Sequence, residues 1–119
     1  MSWTVEYTNE FEDWWKTLEE STQEDIVAVV SLLEEKGPQL PFPFSSGIEK
    51  SKHSHMRELR VQSQSNPLRI LYAFDPRRAA ILLIGGNKRG NKRWYEIYVP
   101  LADKLYEEHV NELKKEKLL

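Results

Sequence analysis

Three consecutive segments in the middle of the chain constrain its fold most. Apolar and polar residues alternate over residues 58–62, apolar residues occupy alternate positions from 68 to 74 with Arg69 and Asp75 in the offset positions, and residues 79–84 are apolar without a break. Alternation with a period of two predicts half-buried strands, whereas a short unbroken apolar run predicts a strand buried on both faces. The links, residues 65–67 and 75–78, are short and rich in turn-forming residues. We therefore predict an antiparallel meander of three strands, the last of which is the most buried.

Two helices that share one apolar side are predicted before this meander. Large apolar residues recur at helical spacing on each of them: Phe11, Trp14, Trp15 and Leu18 on the first, and Ile26, Val29, Val30 and Leu33 on the second. The first helix is expected to begin at Thr8 or Asn9. Ser21 and Glu24 have the spacing of a capping box at the start of the second helix, and Gly37, followed by proline, predicts its end. Residues 3–7 alternate and predict a short strand ahead of both helices.

The remaining segments complete an α+β protein. Residues 37–53 are rich in Pro, Gly and Ser and predict a long loop. A last helix is predicted with Pro100 in its first turn. The predicted order is β-α-α-β-β-β-α: a small antiparallel sheet backed by an N-terminal helical hairpin, with a C-terminal helix. A chain of 119 residues is expected to form a single domain, residues 1–119.

Charge is distributed unevenly along a chain whose formal net charge is −2. Residues 1–50 carry 3 Lys or Arg against 11 Asp or Glu, residues 51–95 carry 10 against 2, and residues 96–119 carry 4 against 6. A basic middle attracts a polyanion if the fold gathers its charges on one surface, but it can also simply neutralise acidic helices. Cysteine is absent, which excludes disulfides and thiolate chemistry. Neither a secretory signal nor a membrane-spanning segment is visible, so we expect a cytoplasmic protein.

Familiar catalytic motifs do not fit the sequence. Gly85 and Gly90 have the outer spacing of a P-loop, but Asn91 stands where the lysine of that motif belongs. His53 and His55 would point the same way on an extended segment, yet no third ligand accompanies them, so we expect neither a metal nor a cofactor. A Gly-x-Ser-x-Gly elbow for a serine nucleophile is also missing.

Cationic and aromatic residues remain near the predicted ends of the strands, where a meander can bring distant residues together. Arginine and lysine bind phosphates, and aromatic rings stack on the bases of single-stranded RNA. We therefore predict an RNA-binding site. Its candidate residues are Lys52, His53, His55, Arg57, Arg60, Arg69, Lys88, Arg89, Lys92, Arg93, Trp94 and Tyr95. The alternative for Trp94 is a structural one, as an anchor in the core beneath the last helix.

Several stretches of the second half form a recognisable pattern. They are HMRELRV at 55–61, LRILYAFD at 68–75 and ILLIGGNK at 81–88, followed by the pair Trp94 and Tyr95 and by ADKLY at 102–106. Together they resemble the RelE/ParE toxin superfamily and, within it, the HigB-like, phage-derived branch. The resemblance implies a toxin of a type II toxin–antitoxin pair, which cuts messenger RNA in the ribosomal decoding site and is silenced by a helix-turn-helix antitoxin.

The resemblance also implies roles for individual residues. Arg69 matches the arginine that holds the scissile phosphate, Lys88 and Arg89 match a basic pair after the next strand, and Tyr95, or less closely Trp94, matches the aromatic near the attacked nucleotide. Residues 52–55 fall where the family keeps basic residues. The expected reaction needs no cofactor: a base removes the 2′-hydroxyl proton, the oxygen attacks the adjacent phosphorus, and an acid protonates the leaving 5′-oxygen.

Candidate roles in this reaction follow from side-chain chemistry. Arg69 and Arg89 are expected to stabilise the charged phosphorane. The candidates for the base are Lys88, His55 and Lys52, and those for the acid or the stacking ring are Tyr95 and a histidine. The residues expected to bind RNA are Lys52, His53, Arg57, Arg60, Lys92, Arg93 and Trp94.

Two other functions are compatible with the resemblance. One is a ParE-like inhibitor that acts on gyrase by binding, and the other is an inactive relative that only binds an antitoxin or RNA. The basic residues and Tyr95 favour cleavage of RNA, because a gyrase inhibitor needs neither.

Overall fold

A computed structural model describes residues 2–119, whose strands form one five-stranded sheet. The elements in chain order are β1 (Val5–Tyr7), α1 (Asn9–Trp15), α2 (Glu20–Lys36), a 3₁₀ turn (Gly37–Gln39), β2 (Ser45–Gly47), β3 (Arg57–Ser63), β4 (Asn66–Phe74), β5 (Ala80–Asn87) and α3 (Trp94–Lys115). The strand order across the sheet is β1-β5-β4-β3-β2. The predicted α+β class is therefore confirmed.

The predicted meander is present as β3, β4 and β5, which pair antiparallel in sequence order. β5 is the most buried strand, with seven of its eight residues inaccessible. Two short strands depart from the prediction. β2 lies inside the segment 37–53 that we expected to be a loop, and β1 pairs parallel with β5, so the sheet is only mostly antiparallel. The alternation of residues 3–7 predicts β1 but not its parallel pairing, and β2 has only three residues, which is too short for a clear alternating pattern.

The first two helices form where the sequence places them, with one difference. Thr8 caps α1, because its hydroxyl oxygen accepts the backbone N–H of Phe11 at 3.0 Å. The capping box predicted for α2 is wrong: the helix begins before Ser21, and within residues 2–119 its N-cap, Glu19, makes no capping side-chain bond. The helix ends at Gly37 as predicted, where φ is 57°, a left-handed conformation that glycine adopts easily.

The last helix begins earlier than predicted. Pro100 is its seventh residue, not part of its first turn, because α3 starts at Trp94. A proline in this position lacks the N–H that would bond to the carbonyl of Glu96. The apolar contacts that α3 makes with the sheet compensate for this loss. As a consequence, Trp94 and Tyr95 belong to the first turn of a long helix instead of a loop.

The sheet separates two apolar cores. The hairpin of α1 and α2 packs on one face, where it buries residues such as Phe11, Ile26, Leu59, Ile70 and Leu82. α3 packs on the opposite face, and the core there contains Leu71 and Leu83 of the sheet and Trp94 and Leu105 of α3. Successive residues of a strand point to opposite faces. Of the helices in residues 2–119, none is both long and apolar enough to cross a membrane.

Candidate functional site

A buried carboxylate, Glu58, is the centre of a polar cluster on the α3 face of the sheet. Only 4% of Glu58 is exposed. Its Oε1 accepts the hydroxyl hydrogen bond of Tyr95 at 2.6 Å, and its Oε2 accepts from Ser46 Oγ at 2.7 Å and from Arg60 Nη1 at 3.2 Å. Nε of Arg69 lies 3.6 Å from Oε1. One anion therefore faces two arginines and a tyrosine.

The register of β3 and β4 explains why these charges meet. Arg60 on β3 lies directly opposite Arg69 on β4. Like charges that face each other across two strands are destabilising. Glu58 precedes Arg60 by two residues, so it points to the same face of the sheet and supplies the compensating charge. The strand pairing thus builds a cationic pair with a carboxylate between its members.

Lys88 reaches the same cluster from the end of β5. Its backbone N–H donates to the carbonyl of Pro67 at 3.0 Å, which continues the pairing of β5 with β4. Its Nζ donates to the hydroxyl of Tyr95 at 3.2 Å and lies 4.6 Å from the centroid of that ring. Partial burial, followed by the nearby charge of Arg69, lowers the pKa of Lys88. At a given pH, a larger fraction of Lys88 is therefore in the neutral amine form than of an exposed lysine.

The environment of Tyr95 has the opposite effect on its hydroxyl. Burial, followed by the hydrogen bond to the Glu58 carboxylate, raises the pKa of Tyr95 to about 12. The hydroxyl consequently remains protonated near neutral pH. Tyr95 can donate a hydrogen bond or a proton there, but it does not act as a base.

Arg69 holds an unused donor at the bottom of the cluster. The residue is 7% exposed, and its Nη1 donates to the carbonyl of Leu68 at 2.9 Å. Its Nε is buried without a hydrogen-bond partner among residues 2–119, because 3.6 Å to Glu58 is too long for a hydrogen bond. A buried cationic donor in this state can donate a hydrogen bond to an anionic oxygen.

Burial contradicts the prediction that Trp94 binds RNA. The residue is 1% exposed and stacks on Tyr98 with their ring centroids 4.6 Å apart. It also packs against the sheet at Gly86, where an added Cβ would lie 2.7 Å from the indole Nε1. The structural alternative for Trp94 describes this position, and the side chain has no exposed face for a base.

Arg57 lies on the wrong face of the sheet for the predicted site. It is adjacent to Glu58 on β3 and therefore points to the α1–α2 side. Its Nε donates to Ser45 Oγ at 2.9 Å, and that hydroxyl is 2.6 Å from the hydroxyl of Tyr72 in the core of that side. Arg57 thus does not join the cluster around Glu58.

The segment that carries Lys52 lies against the middle of α3. Asp103, a buried residue of α3, accepts hydrogen bonds from Ser51 Oγ at 2.5 Å and from the backbone N–H of Lys52 at 3.0 Å. The side chain of Lys52 is exposed. Lys52 is therefore fixed through its backbone beside α3 and away from the contacts of Glu58.

The two histidines form a second group on α3. His53 Nε2 is 3.2 Å from a carboxylate oxygen of Glu107, and His55 Nε2 is 3.1 Å from the hydroxyl of Tyr106. Tyr106 follows Tyr95 by eleven residues, or about 16 Å along the helix axis. The structure thus divides the predicted site into two groups, and these contacts separate His55 from the cluster around Glu58. Burial, followed by the charge of His53, lowers the pKa of His55.

Three predicted cations lie in the exposed link between β5 and α3. Arg89, Lys92 and Arg93 are all exposed. The backbone N–H of Arg89 donates to Asn87 Oδ1 at 2.9 Å, and Arg93 Nε pairs with a carboxylate oxygen of Glu96 at 2.9 Å. They lie within five residues of Lys88 in the chain, and the charge of Arg93 is partly offset by Glu96.

Glu58 is not among the predicted site residues, although the sequence carries a signal for it. Residues 51–95 contain only two acidic residues, Glu58 and Asp75. Both are buried and both contact arginine. A lone carboxylate within a basic segment therefore marks a place where the fold has brought cations together.

The fold built in this way is that of the RelE toxins. The chain superposes on a double arginine-to-alanine variant of the E. coli toxin RelE in the free state with a TM-score of 0.58 and 10% identity, over 82% of this chain and 96% of that chain. It superposes on the archaeal RelE–RelB complex from Pyrococcus horikoshii with a TM-score of 0.56 and 14% identity, over 76% of this chain and 99% of that chain. At these identities the likeness shows the fold alone.

Sequence comparisons give the family. Residues 13–107 match the family model described as "Phage derived protein Gp49-like (DUF891)". The chain is 38% identical over 112 residues to a Mycobacterium tuberculosis protein assigned as toxin HigB2, and the match covers 92% of this chain and 55% of that protein. It is also 43% identical over 93 residues to a Mycobacterium tuberculosis protein assigned as toxin HigB3, and this match covers 77% of this chain and 80% of that protein. The chain thus spans about half the length of the first relative. It belongs to the Gp49-like family of phage-derived proteins, among the RelE/HigB-type toxins, which confirms the predicted resemblance.

Proposed function

We propose that this protein is the toxin of a type II toxin–antitoxin pair and that it inhibits translation by cleaving messenger RNA on the ribosome. The observation that carries the proposal is the convergence of Arg60, Arg69, Lys88 and Tyr95 on Glu58. The relationship to proteins assigned as HigB toxins supports the class of function. Residues 1–119 would act as one domain in the cytoplasm, where ribosomes are.

The charge of the cluster suits the transition state of RNA cleavage. While the amine of Lys88 is neutral, Arg60 and Arg69 leave one formal positive charge in excess over the carboxylate of Glu58, and a second arises when Lys88 takes up a proton. A phosphodiester carries one negative charge, and the phosphorane formed by attack of the 2′-oxygen carries two. A site that matches the phosphorane better than the substrate lowers the barrier, and side chains supply that charge here without a metal ion.

Proton transfer can be assigned to two residues of the cluster. The lowered pKa of Lys88 makes its neutral amine a reasonable base for the 2′-hydroxyl. Tyr95 remains protonated, so it can donate to the leaving 5′-oxygen or stack on a base with its half-buried ring. Arg89, Lys92 and Arg93 would bind phosphates farther along the RNA. His53 and His55 would have no part in the chemical step, because their contacts are with Glu107 and Tyr106.

We further propose a helix-turn-helix antitoxin as the partner that silences the toxin. The solved RelE–RelB complex, a structural neighbour of this chain, contains a toxin together with its partner. An antitoxin that covers the cluster around Glu58 would block access to RNA. Copurification of the toxin with the product of an adjacent small gene, and recovery of growth when both are expressed, would support this pairing.

Induced expression with primer extension on a reporter message tests the function. Cuts in phase with codons, absent when Arg69→Ala or Lys88→Ala is expressed at the same level, are the expected result. Growth arrest with intact messages and an SOS response would support a ParE-like inhibitor instead. Unaffected growth with soluble, folded protein would indicate an inactive relative. Either of the last two outcomes would refute the nuclease proposal.

A further inference from the structure

The segment 41–44 presents a continuous apolar surface to solvent. All four residues, two prolines and two phenylalanines, are exposed. Phe42 is 68% exposed, the highest fraction among the large hydrophobic residues described, and Phe44 is 38% exposed. Contiguous exposed apolar surface marks sites of interaction more than isolated residues do. The segment is therefore a candidate binding surface.

Backbone hydrogen bonds hold this segment against β3. The N–H groups of Phe44 and Ser45 donate to the carbonyl of Pro41 at 3.0 and 3.1 Å, which forms a closed turn. The N–H of Arg60 donates to the carbonyl of Phe44 at 2.9 Å. The exposed ring of Phe42 thus has a defined position at the edge of the sheet.

Arg60 connects Phe42 to the cluster around Glu58. The guanidinium carbon of Arg60 lies 5.0 Å from the centroid of the Phe42 ring, which is a cation–π contact. The same guanidinium donates to Glu58 at 3.2 Å, and Glu58 accepts from Tyr95 at 2.6 Å. A chain of direct contacts therefore runs from Tyr95 to an exposed aromatic ring. The exposure of Phe42 shows that Arg60 leaves much of this ring open to solvent.

A cleft of about 410 Å³ lies along the same path. Pro43 and Phe44, next to Phe42, line it together with Arg60 and Arg69, and α2 closes it with Asp25, Ala28 and Val29. Its volume is within the range of sites that bind small molecules. The cleft therefore offers room beside both arginines for a nucleobase that projects from the RNA backbone.

We propose that Phe42 is a base-stacking residue of the RNA site. It would hold a nucleobase next to the scissile phosphate, with Arg60 contacting the ring on one side and the RNA backbone on the other. Alternation of cations and aromatic rings is how proteins bind single-stranded RNA. In this role Phe42 supplies an aromatic contact to RNA of the kind predicted for Trp94, which is buried. The inference rests on the proposed function, because it concerns the same substrate.

Binding of short RNA to the full-length protein tests the proposal. Fluorescence anisotropy with a labelled single-stranded RNA hexamer at low salt measures affinity, and cleavage on ribosomes programmed with a defined message measures activity. Phe42→Ala is expected to lower RNA affinity by between about fivefold and a hundredfold, the range for loss of one stacked base. In cleavage it should raise KM and leave kcat near the original value. Phe42→Trp should restore both, because stacking needs only an aromatic face.

Tyr7→Ala is the matched control. Tyr7 is an aromatic residue that is 58% exposed, but it lies on β1, at the opposite edge of the sheet from β2 and the segment 41–44. Its substitution should leave RNA affinity unchanged. Thermal unfolding of both variants should match that of the original protein, because both side chains are exposed.

The possible outcomes separate this inference from the proposed function. If Phe42→Ala binds and cleaves RNA normally while Arg69→Ala and Lys88→Ala do not, stacking on Phe42 is refuted and the nuclease function stands. If Phe42→Ala keeps its RNA affinity but loses binding to the antitoxin, the segment 41–44 is a protein contact and the inference is also refuted. If the original protein neither binds RNA nor cuts the message on ribosomes, both proposals fail.

Discussion

The hydroxyl of Tyr95 donates a hydrogen bond of 2.6 Å to the buried carboxylate of Glu58. This bond links the first turn of α3 to β3, and so it joins two elements that are 37 residues apart in the chain. Burial, followed by this bond to the carboxylate, raises the pKa of Tyr95 to about 12. The aromatic residue of the site is therefore positioned and chemically tuned by a residue that does not itself face solvent.

Removal of the Glu58 charge should lower the pKa of Tyr95. In Glu58→Gln, the pKa of Tyr95 is expected to fall from about 12 but to stay above that of an exposed tyrosine, because burial is the larger cause of the shift. Absorbance titration of the phenolates, with Tyr95→Phe to assign the signal, measures this change. An identical titration curve for Glu58→Gln and the original protein would contradict the assignment.

Truncation of Glu58 should destabilise the protein strongly. Glu58→Ala leaves Arg69 buried without its anion, and breaking a buried ion pair in this way costs about 3–5 kcal/mol of the free energy of unfolding. Urea denaturation measures the loss. Glu12→Ala is the control, because Glu12 pairs with Lys16 at the surface at 3.5 Å, and such pairs contribute about 0–1 kcal/mol. Equal losses in the two variants would show that Glu58 is not the centre of the cluster.

Substitution of Lys88 should separate binding from chemistry. Lys88→Arg keeps the positive charge but not the lowered pKa, so RNA affinity should change less than threefold, while the cleavage rate should fall about 10²–10⁴-fold, as expected for loss of a general base. The pH profile of the original protein should rise as Lys88 deprotonates, below the pKa of an ordinary lysine. Lys92→Arg, in the exposed link, should have little effect on either measurement. A normal rate for Lys88→Arg would assign the base to another group.

Asp75 should make stability depend on pH in the acid range. Its buried carboxylate accepts from Arg77 Nη2 at 2.7 Å and lies 2.9 Å from His109 Nε2. Burial would raise the pKa of Asp75, but the hydrogen bonds from Arg77, His109 and the backbone of Ala79 outweigh it, so the pKa is lowered. The unfolded chain therefore binds the proton more tightly. The stabilisation is fully present above the unfolded pKa of about 4 and is lost as the pH falls through the folded pKa.

Urea denaturation at pH values from 2 to 7 measures this dependence. Asp75→Asn should be less stable at neutral pH and should show a flatter profile below about pH 4, because it no longer binds the proton on unfolding. A profile as steep as that of the original protein would show that other carboxylates cause the acid sensitivity.

Gly86 should tolerate no side chain. In Gly86→Ala the new Cβ would lie 2.7 Å from Trp94 Nε1, so the indole must move, and such overpacking costs about 1–3 kcal/mol of the free energy of unfolding. Because Tyr95 is the next residue of α3, cleavage should fall together with stability. Gly47→Ala is the control, since the nearest side-chain atom to its Cβ would be 3.8 Å away. Thermal unfolding and the cleavage assay measure both effects, and an equal response of Gly86→Ala and Gly47→Ala would contradict the prediction.

The sequence predicts best those parts of the fold that depend on periodicity. The meander is identified correctly because β3, β4 and β5 have seven to nine residues each, which is long enough for an alternating or continuous apolar pattern. β1 and β2 depend on pairing with strands that are distant in sequence. The start of α3 was placed too late because Pro100, an unfavourable residue within a helix, is compensated by tertiary packing.

The site was predictable in part for a similar physical reason. Residue type and order indicated Arg69, Lys88 and Tyr95, and the structure brings all three to Glu58. Arg57 lies on the other side because residues 57 and 58 are neighbours on β3 and point to opposite faces of the sheet, which residue type alone does not indicate. The burial of Trp94 and the docking of His55 on Tyr106 depend on how α3 packs, and no local pattern contains that information.

The carboxylate between Arg60 and Arg69 has a consequence for selectivity. Any anion that enters must compete with an acid group that is already resident, so small free anions such as chloride or inorganic phosphate gain little by binding. A ligand that also stacks its rings on neighbouring aromatic side chains binds more tightly than these small anions. The occupied state of this cationic pair thus favours a polymer over its isolated fragments.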